Sequence, residues 1–322
     1  MRTLQKIFRG QVLSIYIALI VIMVLFSFLS PNFMTLSNML TVLRQIAGIG
    51  IMACGMMFVM LLGNVDLSVG TQISLLGIVM SYCMVNLKLG IPAAILIGIA
   101  LGLVIGCING FIVTYCKIPS MIATLGASWI YQGISYTICR AQPIFGFPKG
   151  FSTLGQGLFL GVPIPIYLFI LCCIIASIVF NKTAYGRTLY AVGSNDTAAI
   201  LCGVNVNFMK VSSYIICALF SILASIVFLS RVNSGNASTG IGQEMNVLTA
   251  CVLGGVCFTG GDGQISGTIA GVMIIGVIQN GLVMLGAGEY VQLMVKGLIL
   301  IFALSIDTIK KLIESRKPTT AA

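Results

Sequence analysis

The sequence predicts an all-α, polytopic integral membrane protein with about ten transmembrane helices and both termini in the cytoplasm. Three observations lead there: charge is scarce, uncharged runs of spanning length recur along the chain, and basic residues collect on alternate connections. Hydrophobic residues make up 58% of the chain and charged residues 7%, against about 25% charged in an ordinary soluble domain. The 17 basic and 7 acidic residues are too few to cover a soluble fold of this length, so the bilayer is the solvent. The 37 glycines suit close helix contact in lipid.

A hydrocarbon core takes about 20 apolar residues as helix. Runs of that scale occur at 11–30, 45–65, 67–87, 89–116, 118–139, 150–181, 211–230, 245–261, 263–288 and 290–306. They make ten spans in one transmembrane domain, 1–322, if Asp66, Lys117 and Asp262 mark tight turns. The first run follows a basic start like that of a signal peptide, but it is too long and lacks a small-residue cleavage site, so it reads as a retained span. Ser30–Arg44 reads as a short amphipathic helix on the outer face, started by Pro31 with Leu36, Met39, Leu40 and Leu43 at helical spacing. The Gly/Pro-rich stretch after Cys139 and the stretch Asn233–Asn246 read as external loops.

Counting Lys and Arg by alternate loops sets the orientation. Arg2, Lys6, Arg9, Lys117, Lys182, Arg187, Lys210, Lys310, Lys311, Arg316 and Lys317 fall on one side. The other side gets Arg44, Lys88, Arg140, Lys149, Arg231 and Lys296. The richer side is the cytoplasmic one. The net charge of +10 therefore reflects topology and not a nucleic-acid partner.

Several chemistries are excluded or weakened. The chain has no histidine, which removes a His-based metal site or general base. No G-x-x-x-x-G-K-[ST] stretch occurs, so the chain does not hydrolyse ATP alone. Its eleven cysteines include no CxxC pair, and most fall in apolar runs as small buried side chains. No metal or other cofactor is expected.

A few polar groups sit at or within spans. Asp66 in "GNVDLSVG" (63–70) is an acid between apolar runs, costly unless paired or wetted. With Ser68 it either lines an aqueous path or caps the next helix through N–H groups near Val69–Gly70. Asn64, Asn109 and Asn280 are amides that must face protein or pore, as interhelical bonds or as path lining. Lys296, about 9 Å inside its span at helical rise, is within reach of the interface by snorkelling. "LLGNVDLSVGTQIS" (61–74) and "VLGGVCFTGGDGQIS" (252–266) echo each other, through duplication or through the coincidence of two Gly-rich turns.

The longest polar passage is central: "NKTAYGRTLYAVGSNDTAAILCGVNVNFMK", 181–210. Ala184–Leu189 and Asp196–Cys202 predict short helices along the membrane, bounded by Gly186, Gly193 and Gly203. Small side chains at Ala198 and Ala199 leave a shallow surface for another protein to press into. Connections between packed spans are normally short, so this length favours an interaction role.

At these residues the chain resembles the permease subunits of bacterial ABC sugar importers of the ribose/xylose/galactoside type. "GRTLYAVGSNDTAAILCGVNV" (186–206) is similar to the family's cytoplasmic coupling loop. "DLSVG" (66–70), "GCINGFIVTYCKIPSMIATLG" (106–126), "VLGGVCFTGGDGQISGTIAGVMIIGVIQNGLVMLG" (252–286) and "YVQLMVKGLILIFAL" (290–304) resemble further family stretches. The resemblance implies a non-catalytic inner-membrane subunit that carries a monosaccharide or similar small polyhydroxylated solute by alternating access. It also implies three partners: a cytoplasmic ATPase that consumes the ATP, an extracytoplasmic solute-binding protein, and a second permease copy or paralogue. Gly186, Arg187, Ala191, Gly193, Asn195, Ala198, Ala199 and Gly203 match the loop expected to touch the ATPase. The chain departs from the family at Gly63-Asn64-Val65-Asp66, where the family shows Gly-Gly-Ile-Asp, and at Gln132-Gly133, where it tends to carry Arg-Gly. Relatives that import the autoinducer-2 signal keep the same motifs. The competing class is a stand-alone secondary transporter or channel with Asp66 as an ion site, which leaves the long central loop unexplained.

Overall fold

The computed structural model describes residues 2–315, with side-chain surroundings for residues 12–302, 304 and 305. Arg316 and Lys317 lie outside the described residues, as do the side chains of Arg2, Lys6, Arg9, Asp307, Lys310, Lys311 and Glu314.

Helix α1 (Arg2–Leu29) turns at 31–34 into α2 (Leu36–Met60). Thr35 caps α2, its Oγ1 accepting from the Asn38 N–H at 3.4 Å. The separate surface helix expected over Ser30–Arg44 does not exist, and its residues from Leu36 on are the first turns of α2. Their apolar spacing is in phase with the run that follows, so nothing breaks the helix there. From Val42 onward α2 is almost wholly buried and forms the axis of the bundle, packed on chiefly by helices from the second half of the chain.

After Met60 the backbone leaves the helix for Leu61–Ser68 and re-enters it as α3 (Val69–Val85). Then come α4 (Ile91–Thr114) and α5 (Ser120–Cys139). The turns at Lys88 and Lys117 and the end of α5 at Arg140 place these residues at φ 52°, 55° and 51°, a conformation non-glycine residues take rarely. The run at 150–181 does not cross as one piece. It begins as α6 (Thr153–Gln156) and a tight hairpin, β1 (Leu158–Phe159) against β2 (Val162–Pro163), and only α7 (Ile164–Lys182) continues as a long apolar helix.

Helices α8 (Ala184–Ser194) and α9 (Asp196–Leu201) form the central connection, followed by α10 (Val206–Val232). The expected span at 245–261 is instead the short helix α11 (Gln243–Leu253). Its 11 residues reach only about 16 Å at helical rise. The turn-rich stretch before it descends along α3: Gly235 pairs with Ile144, N–H to C=O at 2.9 Å and 2.8 Å, and the Gly240 N–H donates to Ser74 Oγ at 3.0 Å. Glycines at 254, 255, 260, 261 and 263 end α11 and delay the next helix, four of them at φ between 76° and 156°. The chain closes with α12 (Ile265–Met284) and α13 (Glu289–Ser315).

Among the described residues, six helices are long and apolar enough to cross a membrane: Val12–Leu29, Leu36–Met60, Ile91–Thr114, Ile164–Lys182, Val206–Val232 and Ile265–Met284. Helix α3 is a shorter apolar helix of 17 residues. Close approach depends on glycine where α4 meets α10: a side chain at Gly106 would strike the Ile215 backbone, and one at Gly110 the Val211 backbone. The bundle has two ends. One gathers Leu61–Gly63, α8 and residues 259–263, while the other gathers Ser81, Ile144 and Gly235.

Candidate functional site

Helix α8 lies against the end of the bundle by a stripe at helical spacing, Gly186, Leu189, Tyr190 and Gly193. Thr183 starts it, its Oγ1 accepting from the Gly186 N–H at 3.1 Å. A methyl on Gly186 would run into the carbonyls of Val179 and Phe180, and one on Gly193 into the Leu61 carbonyl. These two glycines therefore lie inside α8 and not at helix boundaries, because close approach is what they supply. The bend between α8 and α9 falls at Asn195, with extended backbone at φ −163°, whose Oδ1 accepts from the Ala198 N–H at 2.9 Å. Gly203 closes α9 at φ +80°, where a side chain would be strained.

Two bonds and several close contacts wire this platform inward. The Tyr190 hydroxyl donates to the Gly263 carbonyl at 2.7 Å, and the Gly261 N–H donates to the Leu61 carbonyl at 2.8 Å. Gly63 lies under Thr259 and Gly260, and Gly261 lies against Ser194. Burial, and then the nearby Asp262, push the Tyr190 phenol up to about 12. The two echoing stretches thus occupy equivalent places. Each is a helix end, a non-helical turn and a helix start, α2 to α3 and α11 to α12, and the two turns touch beneath α8.

The opposite face of the platform is open. Arg187, Ala191, Asn195 and Ala198 are exposed, while Ala199 is buried. Beside them Ile200 and Leu201 are 59% and 84% exposed. Lys210 pairs with Asp196 at 3.8 Å, tying α9 to α10. The eight residues of the expected coupling loop therefore divide. Gly186, Gly193 and Ala199 seat the platform, Gly203 ends it, and Arg187, Ala191, Asn195 and Ala198 face outward.

Asp66 and Ser68 lie fully buried in the break between α2 and α3. Four donors converge on the carboxylate: the Ser68 N–H at 2.9 Å and Ser68 Oγ at 2.5 Å on Oδ1, and Gln72 Nε2 at 3.0 Å and Asn109 Nδ2 at 3.4 Å on Oδ2. Ser68 Oγ also accepts from Gln72 Nε2 and Asn109 Nδ2, each at 2.9 Å. The Tyr131 hydroxyl donates to Asn109 Oδ1 at 2.7 Å. Around this knot the Leu67 N–H donates to Thr124 Oγ1 at 3.0 Å and the Val65 N–H to Ser120 Oγ at 3.2 Å. Asp66 makes a tight turn by accepting from the Ser68 N–H, but it takes no bond from Val69 or Gly70, and no side chain caps α3.

Asp66, Ser68 and Asn109 are thus brought together, and Asn64 and Asn280 are not among them. Asn64 is partly exposed at the platform end, with a 3.5 Å bond to the Leu62 carbonyl. Asn280 on α12 exchanges two amide bonds with Asn38 on α2, at 2.9 Å and 3.0 Å. Gln72, Tyr131, Ser120 and Thr124 were not singled out by sequence. Gln72 carried a signal, since it opens the Gln-Ile-Ser that the two echoes share.

A family described as "Branched-chain amino acid transport system / permease component" matches residues 38–304. The ribose import permease protein RbsC of Bacillus subtilis (strain 168) is 37% identical over 301 residues, covering 92% of this chain and 92% of the relative. RbsC of Escherichia coli (strain K12) is 36% identical over 299 residues, covering 92% and 93%. The L-arabinose transport system permease protein AraH of the same strain is 36% identical over 305 residues, covering 94% and 93%. No solved structure matches the chain. The match spans the break at Asp66, the platform and the second Gly-rich turn alike, and the chain belongs to this family of multi-pass membrane transport permeases.

Proposed function

We propose that the chain is the transmembrane permease subunit of an ATP-binding cassette importer in the bacterial inner membrane, forming the path for a monosaccharide or similar small polyhydroxylated solute. The observation that carries this is the likeness, over more than nine-tenths of the chain, to permeases named for ribose import and L-arabinose transport. The family description names branched-chain amino acids, but these sugar permeases match over 92% and 94% of the chain. A separate cytoplasmic ATPase burns the ATP and an extracytoplasmic binding protein delivers the solute. A second permease copy or paralogue completes the pore in lipid, and the chain itself needs no cofactor.

The whole chain, 1–322, serves as one transmembrane domain crossing ten times: by α1, α2, α3, α4, α5, α7, α10, the turn-rich stretch with α11, α12 and α13. Tyr16 bonds to Ser266 and Phe26 packs on Gly281, so α1 runs parallel to α12 and starts at the platform end. Both termini then share that end, which we assign to the cytoplasm. The open face of α8 and α9 receives the ATPase through Arg187, Ala191, Asn195 and Ala198, while Gly186, Gly193, Ala199 and Gly203 hold its shape. The motor biases the bundle only through differential contacts in its two states, and α8 carries that bias to the turns at Leu61 and Gly261.

The test is reconstitution in proteoliposomes with a candidate ABC ATPase and a candidate sugar-binding protein. Pentose uptake that requires nucleotide hydrolysis supports the reading. Solute movement by the chain alone, driven by an ion gradient at Asp66, refutes it.

A further inference from the structure

Helix α11 starts part-way along the bundle, where Gly240 lies against Gly70 and Ser74 of α3. Discontinuous helices at a repeat interface are where transporters place their solute sites, so the groups beside α11 merit a chemical reading. Asn246 and Thr249 of α11, Gln279 of α12 and Gln292 and Lys296 of α13 line one recess with apolar walls from Ile275, Ile278, Leu282 and Ile299. The amides are chained: Gln279 Nε2 donates to Asn246 Oδ1 at 3.4 Å, and Asn246 Nδ2 to Gln243 Oε1 at 3.1 Å.

Lys296 is the unexpected member. An ammonium on a lipid-facing helix reaches for the interface, yet Lys296 shares the stripe of Gln292 and Ile299 that turns toward α11 and α12. The lipid side of α13 is carried by Tyr290, Leu293, Met294 and Leu298. Among the described residues no carboxylate lies within ion-pair distance of Lys296, although Glu289, two turns back on α13, acts on it from farther off. A half-buried cation at membrane depth, facing amides and a hydroxyl, is costly unless it serves a ligand or a path.

We propose that this recess is a way-station for a polyhydroxylated solute, with Lys296, Gln279 and Thr249 as its specificity-determining residues. The inference rests on the importer reading and adds the site. The amides offer donors and acceptors, the ammonium offers three donors and no acceptor, and the isoleucines suit the C–H face of a sugar ring. The same positive charge repels inorganic cations, which keeps a polar path from leaking them. In this conformation the recess has about 20 Å³ of room, enough for one water, so it is shut. Helix α13, which packs chiefly on α11, is the wall that must move aside.

The experiment uses the permease assembled with its ATPase and binding protein in proteoliposomes, with radiolabelled D-ribose and L-arabinose as probes. Lys296→Met, Gln279→Leu and the isosteric Thr249→Val are compared with wild type. The expected result is intact assembly with uptake at limiting solute reduced about tenfold in each variant, the equivalent of one hydrogen bond, and partial recovery in Lys296→Arg. Wild-type uptake with all three variants unimpaired overturns the proposal and leaves the importer reading standing. Should Lys296→Met fail to assemble, Thr249→Val and Lys296→Arg decide in the same way. Absence of nucleotide-driven uptake in the wild-type complex overturns the importer reading and this proposal with it.

Discussion

Replacing Asp66 by Asn separates a structural knot from a gate. The carboxylate receives two donors on each oxygen, from Ser68 twice and from Gln72 and Asn109. An amide is nearly the same size but turns one acceptor oxygen into a donor. If the NH2 takes the Oδ2 place, it confronts Gln72 Nε2 and Asn109 Nδ2. If it takes the Oδ1 place, it confronts the Ser68 N–H and hydroxyl. Either way two buried donor–acceptor bonds become donor–donor contacts, and at about 1–3 kcal/mol for each buried group left unsatisfied the variant loses roughly 2–6 kcal/mol. That lowers the melting midpoint by about 4 °C or more, at the 2–4 °C per kcal/mol typical of large domains. The assay is fluorescence-detected size exclusion of detergent-purified protein after a heating series. A midpoint indistinguishable from wild type refutes the reasoning, and doubly so if solute uptake is altered at the same time, since that pattern belongs to a gate.

Gly193→Leu pushes α8 off the Leu61 carbonyl, so nucleotide-driven uptake and co-purification with the ATPase fall sharply while the bundle still inserts; unchanged binding and uptake contradict this. Ala198→Trp crowds the open face alone, and is expected to abolish ATPase co-purification without moving the melting midpoint. Single changes Asn38→Ala and Asn280→Ala each orphan the partner amide at a cost of about 1–3 kcal/mol, and the double variant should cost less than their sum, as a double-mutant cycle by thermal melts would read. Burial holds the Tyr190 phenol neutral up to about 12, above its value near 10 in an unfolded chain. The anchor of α8 on Gly263 is therefore complete below pH 10 and weakens as pH rises toward 12; limited proteolysis at α8 should accelerate over that window in wild type and not in Tyr190→Phe.

Much of the fold is legible in the sequence because lipid demands one pattern, a long uncharged run, and most runs become helices within a few residues of where they stand. The failures have local causes. Leu36–Leu43 looks like a separate amphipathic helix because its polar face is real, but Asn38 spends that face on Asn280, inside the bundle. The run at 245–261 is apolar enough to span, yet five glycines between 254 and 263 halt α11 after Leu253. At the candidate sites, residue types are legible and partners are not. Asp66 stands out by its charge, whereas Tyr131 and Asn109 come from helices more than forty residues away, and no spacing rule joins them. Lys296 reads as a snorkelling lysine until the face of α13 on which it lies is known.

The backbone bond from Gly261 to the Leu61 carbonyl means that the two halves of the chain share a single point of leverage. A stroke arriving at α8 has no way to tilt the first hairpin of helices while leaving the second at rest, because both elbows sit under the same short rod. The two turns are geared together, so under the proposed docking of the ATPase on this one ledge a single contact drives both.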